Sequence, residues 1–183
     1  MKMNAKINIV FKYGLIISLP MILLSVISHV FNIQDSRSYG WLGILIFIIT
    51  IYFVQKMYRQ EFYQGFASYG KLLGDTCLML IFTSAMMFVY SFIFYKYISP
   101  EFIEKILLLA EDSLYDKNFS QPEIEQSMVY IKKINSPAGL SIMSFFSTYI
   151  QGFIIALIIS IINKKSKDAF SEAMKNIDET EEN

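Results

Sequence analysis

Four stretches of this chain contain no Asp, Glu, Lys or Arg: residues 13–34, 38–55, 76–95 and 134–163. About 20 apolar residues rising 1.5 Å each cross a hydrocarbon core of roughly 30 Å, where every backbone N–H and C=O must be paired within the segment. The windows hold 22, 18, 20 and 30 residues, so each is long enough, the second only just. The sequence therefore predicts an all-α polytopic membrane protein with four transmembrane helices, over about residues 13–31, 39–54, 76–95 and 137–162. Strands of a membrane barrel would alternate apolar and polar positions over about ten residues, which runs such as Leu42–Ile49 and Ile154–Ile162 do not.

Charge makes up 17% of the 183 residues, against about a quarter in a soluble globular domain, and all of it falls outside those windows. The 16 basic and 16 acidic side chains cancel, which removes the basic footprint of a nucleic-acid-binding protein. One Cys and one His exclude a disulfide framework or a Cys/His metal cluster, so no metal and no cofactor is expected. The first window follows Lys2, Lys6 and Lys12, as a secretory signal does, but its apolar run is too long and no small-x-small cleavage site follows Ser28. It is expected to stay as a span.

Orientation follows from Lys and Arg near the span ends. Lys2, Lys6, Lys12, Lys56, Arg59, Lys71, Lys164, Lys165, Lys167 and Lys175 lie on one side. Arg37, Lys96, Lys105, Lys117, Lys132 and Lys133 lie on the other, spread over more residues. Ten against six predicts that both termini are cytoplasmic. Tyr13, Tyr39, Trp41, Tyr52, Tyr90, Tyr95 and Tyr97 fall near span ends and read as interfacial anchors.

Three connections remain. The hairpin Asn32–Ser38 is too short to be a domain. The segment Gln55–Asp75, with Tyr58, Phe62, Tyr63, Phe66 and Tyr69 among its glycines, reads as a headgroup-layer loop whose Lys56, Arg59 and Lys71 face lipid phosphates. Residues 99–134 read as an extracytoplasmic amphipathic helical hairpin. Ser99-Pro100 is a cap followed by proline, Phe102, Ile103, Ile106, Leu107 and Leu114 recur at helical spacing, and Ser120 with Glu123 forms a capping box ahead of Ile124, Met128 and Ile131. The polar tail 164–183 begins basic and ends acidic, and nothing divides the chain into more than one domain.

Helices in lipid touch through small and weakly polar residues. Gly14, Ser18, Met21, Ser25 and Ser28 share one face of the first span, as do Cys77, Ser84 and Ser91 in the third. Ser141, Ser144, Thr148 and Gln151 do so in the fourth, with Gly152 beside them. Gln151 lies at mid-span and needs a hydrogen-bond partner, for which Ser84, Thr83 and Ser25 are the depth-matched choices. His29 sits near the outer end of the first span, where a hydrogen-bonding role is the ordinary one. The candidate intramembrane polar contacts are therefore Gln151, Ser84, Ser25, Thr148 and His29.

With no acid or base expected inside a span, no Ser/His/Asp set and no glycine-rich phosphate loop, the sequence does not read as an enzyme. Four segments in order carry a family resemblance: Lys12-Tyr13-Gly14-Leu15-Ile16-Ile17, Gly65-Phe66-Ala67-Ser68-Tyr69-Gly70-Lys71, Tyr97-Ile98-Ser99-Pro100-Glu101-Phe102, and Ser136-Pro137. Over roughly Lys6 to Lys165 the chain resembles the Bacteroidota domain of unknown function 4199 family. The resemblance implies a small four-span inner-membrane protein and supplies no catalytic or binding residues. The expected function is non-enzymatic, as an accessory or scaffold subunit acting through lipid bilayer and protein contacts. A partner protein or a second copy would dock on the hairpin. The alternative is a small channel or carrier for a neutral or weakly polar solute, lined by Ser25, Ser84, Thr148 and Gln151.

Overall fold

A computed structural model describes residues 2–31, 33 and 37–165, with side chains from Lys6 onward and not at 37–39. The expected hairpin Asn32–Ser38, the anchor Tyr39 and the tail beyond Lys165 lie largely or wholly outside the described residues. Six α-helices are present among the described residues: α1 Lys2–Val30, α2 Arg37–Tyr63, α3 Tyr69–Ile93, α4 Glu101–Asp116, α5 Gln121–Ile134 and α6 Pro137–Asn163. Four of them, α1, α2, α3 and α6, are long and apolar enough to cross a membrane.

The long helices overrun the charge-free windows. Their apolar segments span Lys6–Val30, Gly40–Tyr63, Tyr69–Ile98 and Pro137–Asn163, and so include Lys6, Lys12, Lys56, Arg59, Glu61, Lys71, Asp75 and Lys96. The helix ends expected from the windows are corrected, and so is the loop Gln55–Asp75. Nearly all of that loop is the last turns of α2 and the first turns of α3, joined by Gln64–Ser68. The reversal is tight because Gln64 (φ 52°) and Gly65 (φ 91°) adopt left-handed backbone, the second in a region that favours glycine, and the Gly65 N–H donates to the Arg59 carbonyl at 3.0 Å. Charge ended the spans in the sequence reading because an isolated charge in lipid is costly. Here Lys6 pairs with Asp75 and Lys12 with Glu61, which removes that objection for those four.

The described chain divides into two compact units, Met1–Thr83 with Tyr149–Asn183, and Ser84–Thr148. In the first unit the core is built from α1 (Val10, Tyr13, Ile17), α2 (Phe47, Ile51, Val54, Tyr58), α3 (Met79, Leu80) and α6 (Ile155, Ala156, Ile159). These positions recur three or four residues apart, one stripe per helix. Leu19, Leu23, Leu45, Ile49, Phe53, Ile150, Ile154 and Ile158, on the opposite faces, are all about half exposed or more. Apolar side chains outside, with Ser18, Gln55, Thr76 and Thr83 buried beside the apolar core, suit a lipid solvent. Gly14 lets α1 and α3 meet backbone to backbone: a Cβ there would lie 2.8 Å from the Met79 carbonyl oxygen, and the Thr83 hydroxyl donates to the Gly14 carbonyl at 2.9 Å. Pro20 lies within α1 and leaves the Ile16 carbonyl without its usual donor.

In the second unit α3 leaves its regular pitch through a π-helical turn, Phe94–Ile98, closed by the Ser99 N–H on the Phe94 carbonyl at 2.9 Å. Ser99 thereby ends this turn rather than capping α4. Pro100 is the residue before the helix, and the Ser99 hydroxyl donates to the Glu101 carboxylate at 2.6 Å. Asn118 (φ 58°) closes α4 in a Schellman arrangement, with Phe119 N–H on the Leu114 carbonyl and Asn118 N–H on the Tyr115 carbonyl. The capping box opens α5: the Glu123 carboxylate accepts from the Ser120 N–H at 2.8 Å and from its hydroxyl at 2.6 Å. Those two bonds hold the Glu123 carboxyl below its ordinary value, the hydroxyl contributing most. α4 and α5 pack on each other, burying Ile124 and Met128. The Ser91 hydroxyl donates to that of Ser144 at 2.9 Å, tying α3 to α6 within this unit.

Candidate functional site

The chemistry-bearing residues of the first unit collect where α2 ends, α3 begins and α6 ends. Gln55 and Arg59 stand four residues apart on α2 and so project from one face. Gln55 is fully buried; its amide nitrogen donates to the Thr76 hydroxyl of α3 at 2.9 Å and the Ser160 hydroxyl of α6 at 2.8 Å. Its oxygen accepts from the Asn163 amide at 3.4 Å, and Asn163 also donates to the Tyr52 carbonyl at 3.1 Å. The Arg59 guanidinium donates to the Asn163 carbonyl, the last of α6, where the helix dipole favours a cation. One residue pair thus joins three helices. The Lys165 N–H bonds the Ala67 carbonyl at 3.0 Å, so the chain leaving α6 is held against the α2–α3 turn.

Two carboxylates complete the cluster. Asp75 is 3% exposed; its carboxylate pairs with Lys6 at 2.5 Å and accepts from the Tyr58 hydroxyl at 2.8 Å and the Tyr63 hydroxyl at 2.6 Å. Glu61, more exposed, accepts from the Tyr13 hydroxyl at 2.5 Å and pairs with Lys12 at 3.1 Å. The Tyr13 and Tyr58 rings meet edge to face at 5.7 Å, and Phe62 stacks on Tyr58 at 5.4 Å. Both lysines come from α1, so α1 is fixed to α2 and α3 by charge at this end and by the Gly14 contact deeper in. Tyr13, expected as an interfacial anchor, is 1% exposed in the core, and Arg59, expected to face lipid phosphates, is 6% exposed. Tyr58 and Tyr63 turn inward because Asp75 offers their hydroxyls an ionised acceptor, a stronger partner than a neutral one.

The polar residues singled out from the sequence do not form this cluster. Gln151 is half-buried in α6, and no hydrogen bond among the described residues involves it; Thr83 gives its hydroxyl to Gly14 and Met79 instead. Ser84 is fully buried and its hydroxyl has no hydrogen-bond partner among the described residues. Ser25, Thr148 and His29 are half-buried, with His29 in the last turn of α1. Many small hydroxyls bond their own helix: Ser18 to the Leu15 carbonyl, Ser28 to Ser25, Ser141 to Pro137. The residues missed lie at the window edges, Gln55, Thr76 and Asn163 just inside and Arg59 and Asp75 just outside. Their signal was Gln55 and Arg59 continuing the helical period of Ile51 up to and past the first charge, Lys56. Among the described residues no group of three or more His, Cys, Asp or Glu is placed to hold a metal ion.

Four long apolar helices with apolar outward faces define a multi-pass α-helical membrane protein. The chain belongs to the family described as a protein of unknown function, DUF4199, whose model matches residues 12–165. No curated protein and no solved structure matches this sequence.

Proposed function

We propose that this protein is a non-enzymatic accessory or scaffold subunit of a bacterial inner membrane, with both termini cytoplasmic, acting through protein and lipid contacts. The charge clusters around Gln55, Asp75 and Glu61 are satisfied mainly by one another and bind helices together, which is structural work. The observation that carries the reading is on α4 and α5, where Leu108, Leu109, Val129 and Tyr130 are each at least 60% exposed. In the proposed topology residues 99–134 form an extracytoplasmic hairpin, outside the lipid that shelters the other exposed apolar faces, and such a surface calls for a protein partner or a second copy. Cysteines placed at Leu108 and Val129 in a Cys77→Ala background test this. Crosslinks to another chain in native membranes, identified by mass spectrometry, are expected, and crosslinks confined to the same chain would refute it. Reporter fusions after Lys117 and after Asn183 test the orientation, with cytoplasmic activity expected for the second alone.

The rival reading, a small channel or carrier for a neutral or weakly polar solute, rests on the buried Ser84 hydroxyl that lacks a partner among the described residues. Liposome flux of small polyols that falls with Ser84→Ala would favour it, and absence of flux would remove it.

A further inference from the structure

Arg59 stands apart from the other ionised groups of the cluster. It is 6% exposed, its Nε–H has no hydrogen-bond acceptor among the described residues, and neither of the two ion pairs found there includes it. Its one hydrogen bond among the described residues runs to the Asn163 carbonyl. The end of a helix supplies roughly half an elementary charge, so a buried guanidinium held this way keeps an unmatched positive charge and an unmatched donor. Lys6 and Lys12 are committed to Asp75 and Glu61 and leave no carboxylate of that pair over. Two more cations follow directly on the capped residue: Lys164 and Lys165, both exposed, with Lys165 tied by its backbone to Ala67.

We propose that Arg59, Lys164 and Lys165 form a site for a phosphate-type oxyanion, filled in the membrane by the phosphate of an anionic phospholipid. A guanidinium presents a planar fork of donors matched to phosphate oxygens, and the two ammonium groups add charge without demanding geometry. The depth fits: Arg59 lies four residues before the end of α2, about 6 Å at 1.5 Å per residue, and Asn163 is the last residue of α6. Both belong at the level of the headgroups if these helices span. The site ties a lipid to the Arg59–Asn163 bond that joins α2 to α6, so binding stabilises that junction. This inference deepens the lipid half of the proposed function and rests on its membrane topology for the source of the anion.

The test uses the full chain in neutral detergent, titrated with short-chain phosphatidylglycerol, phosphatidylcholine or inorganic phosphate, and read by thermal unfolding and by native mass spectrometry. Phosphatidylglycerol should raise the unfolding midpoint and leave one lipid retained, while phosphatidylcholine does neither. Arg59→Lys, and separately Lys164→Gln with Lys165→Gln, should each need roughly tenfold more phosphatidylglycerol for half the effect, the loss of one charge-assisted contact. Lys56→Gln, exposed on the same helix, should behave as wild type. A shift with inorganic phosphate that competes with phosphatidylglycerol supports the anion site and names a free ion as its ligand. No response of the wild type to either anion overturns the proposal, as does a Lys56→Gln loss equal to that of Arg59→Lys. If Arg59→Lys does not fold, the wild-type titration and the exposed lysine pair decide. Failure of the Leu108 and Val129 crosslinks leaves this result untouched, so the two readings fall separately.

Discussion

Replacing Gln55 with Leu removes the central residue of the three-helix junction while keeping its volume nearly constant. Two well-formed bonds are lost, to Thr76 at 2.9 Å and Ser160 at 2.8 Å, together with a long one from Asn163 at 3.4 Å. The partners are not equally injured. Thr76 keeps its bond to the Leu72 carbonyl and Asn163 keeps Tyr52, so the Ser160 hydroxyl loses most. Hydrogen bonds between membrane helices average about 0.6 kcal/mol and reach about 1.7, while those in water-soluble proteins cluster near 1 kcal/mol. Two full bonds and a weak one therefore place the loss at about 2 kcal/mol, with no offsetting cavity because the new side chain fills the site. Reversible unfolding in mixed micelles of mild detergent and dodecyl sulfate measures it, and a double-mutant cycle with Ser160→Ala should return a coupling of roughly 0.6–1 kcal/mol. A Gln55→Leu change below about 0.5 kcal/mol, or a gain in stability, would refute the view that this amide joins α2, α3 and α6.

Other outcomes follow from the same geometry. Lys6→Met should cost about 1 kcal/mol, because its side chain is 36% exposed and partly screened, whereas Asp75→Ala should cost about 3 kcal/mol by also stranding the Tyr58 and Tyr63 hydroxyls; the same micelle titration should show the two as strongly non-additive. Gly14→Ala puts a methyl 2.8 Å from both the Met79 carbonyl oxygen and Phe82 Cβ, so α1 and α3 must separate, at about 1–3 kcal/mol in that assay. Glu123 has a lowered carboxyl in the folded chain, so its contribution to the start of α5 is complete above its unfolded value of 4.5 and disappears as pH falls through the lower folded one. Amide protection at Gln121, Glu123 and Ile124 of the full chain, each rate taken relative to its intrinsic value at that pH, should fall over that acid range in wild type and be low and flat in Glu123→Gln.

The number, type and order of the long helices were legible in the sequence, because hydrocarbon penalises unpaired charge and backbone so heavily that composition alone marks a span. The start of α5 was legible too, since a capping box is complete within four residues, Ser120 to Glu123. Span ends were not. A window closes at the first charged side chain, and whether that charge is tolerable depends on what another helix brings to it. Lys6 and Asp75 are 69 residues apart in sequence, and Gln55 and Ser160 are 105 apart. Nothing local at Asp75 announces a lysine from α1, so the sequence alone assigned it to a loop. Tyr13 went astray for the same reason: an amphipathic ring at a span end suits either lipid or a neighbouring helix. Solvent preference, a property of each residue, was determined by the sequence. Pairing, a property of two residues brought together by folding, was decided only by the tertiary structure.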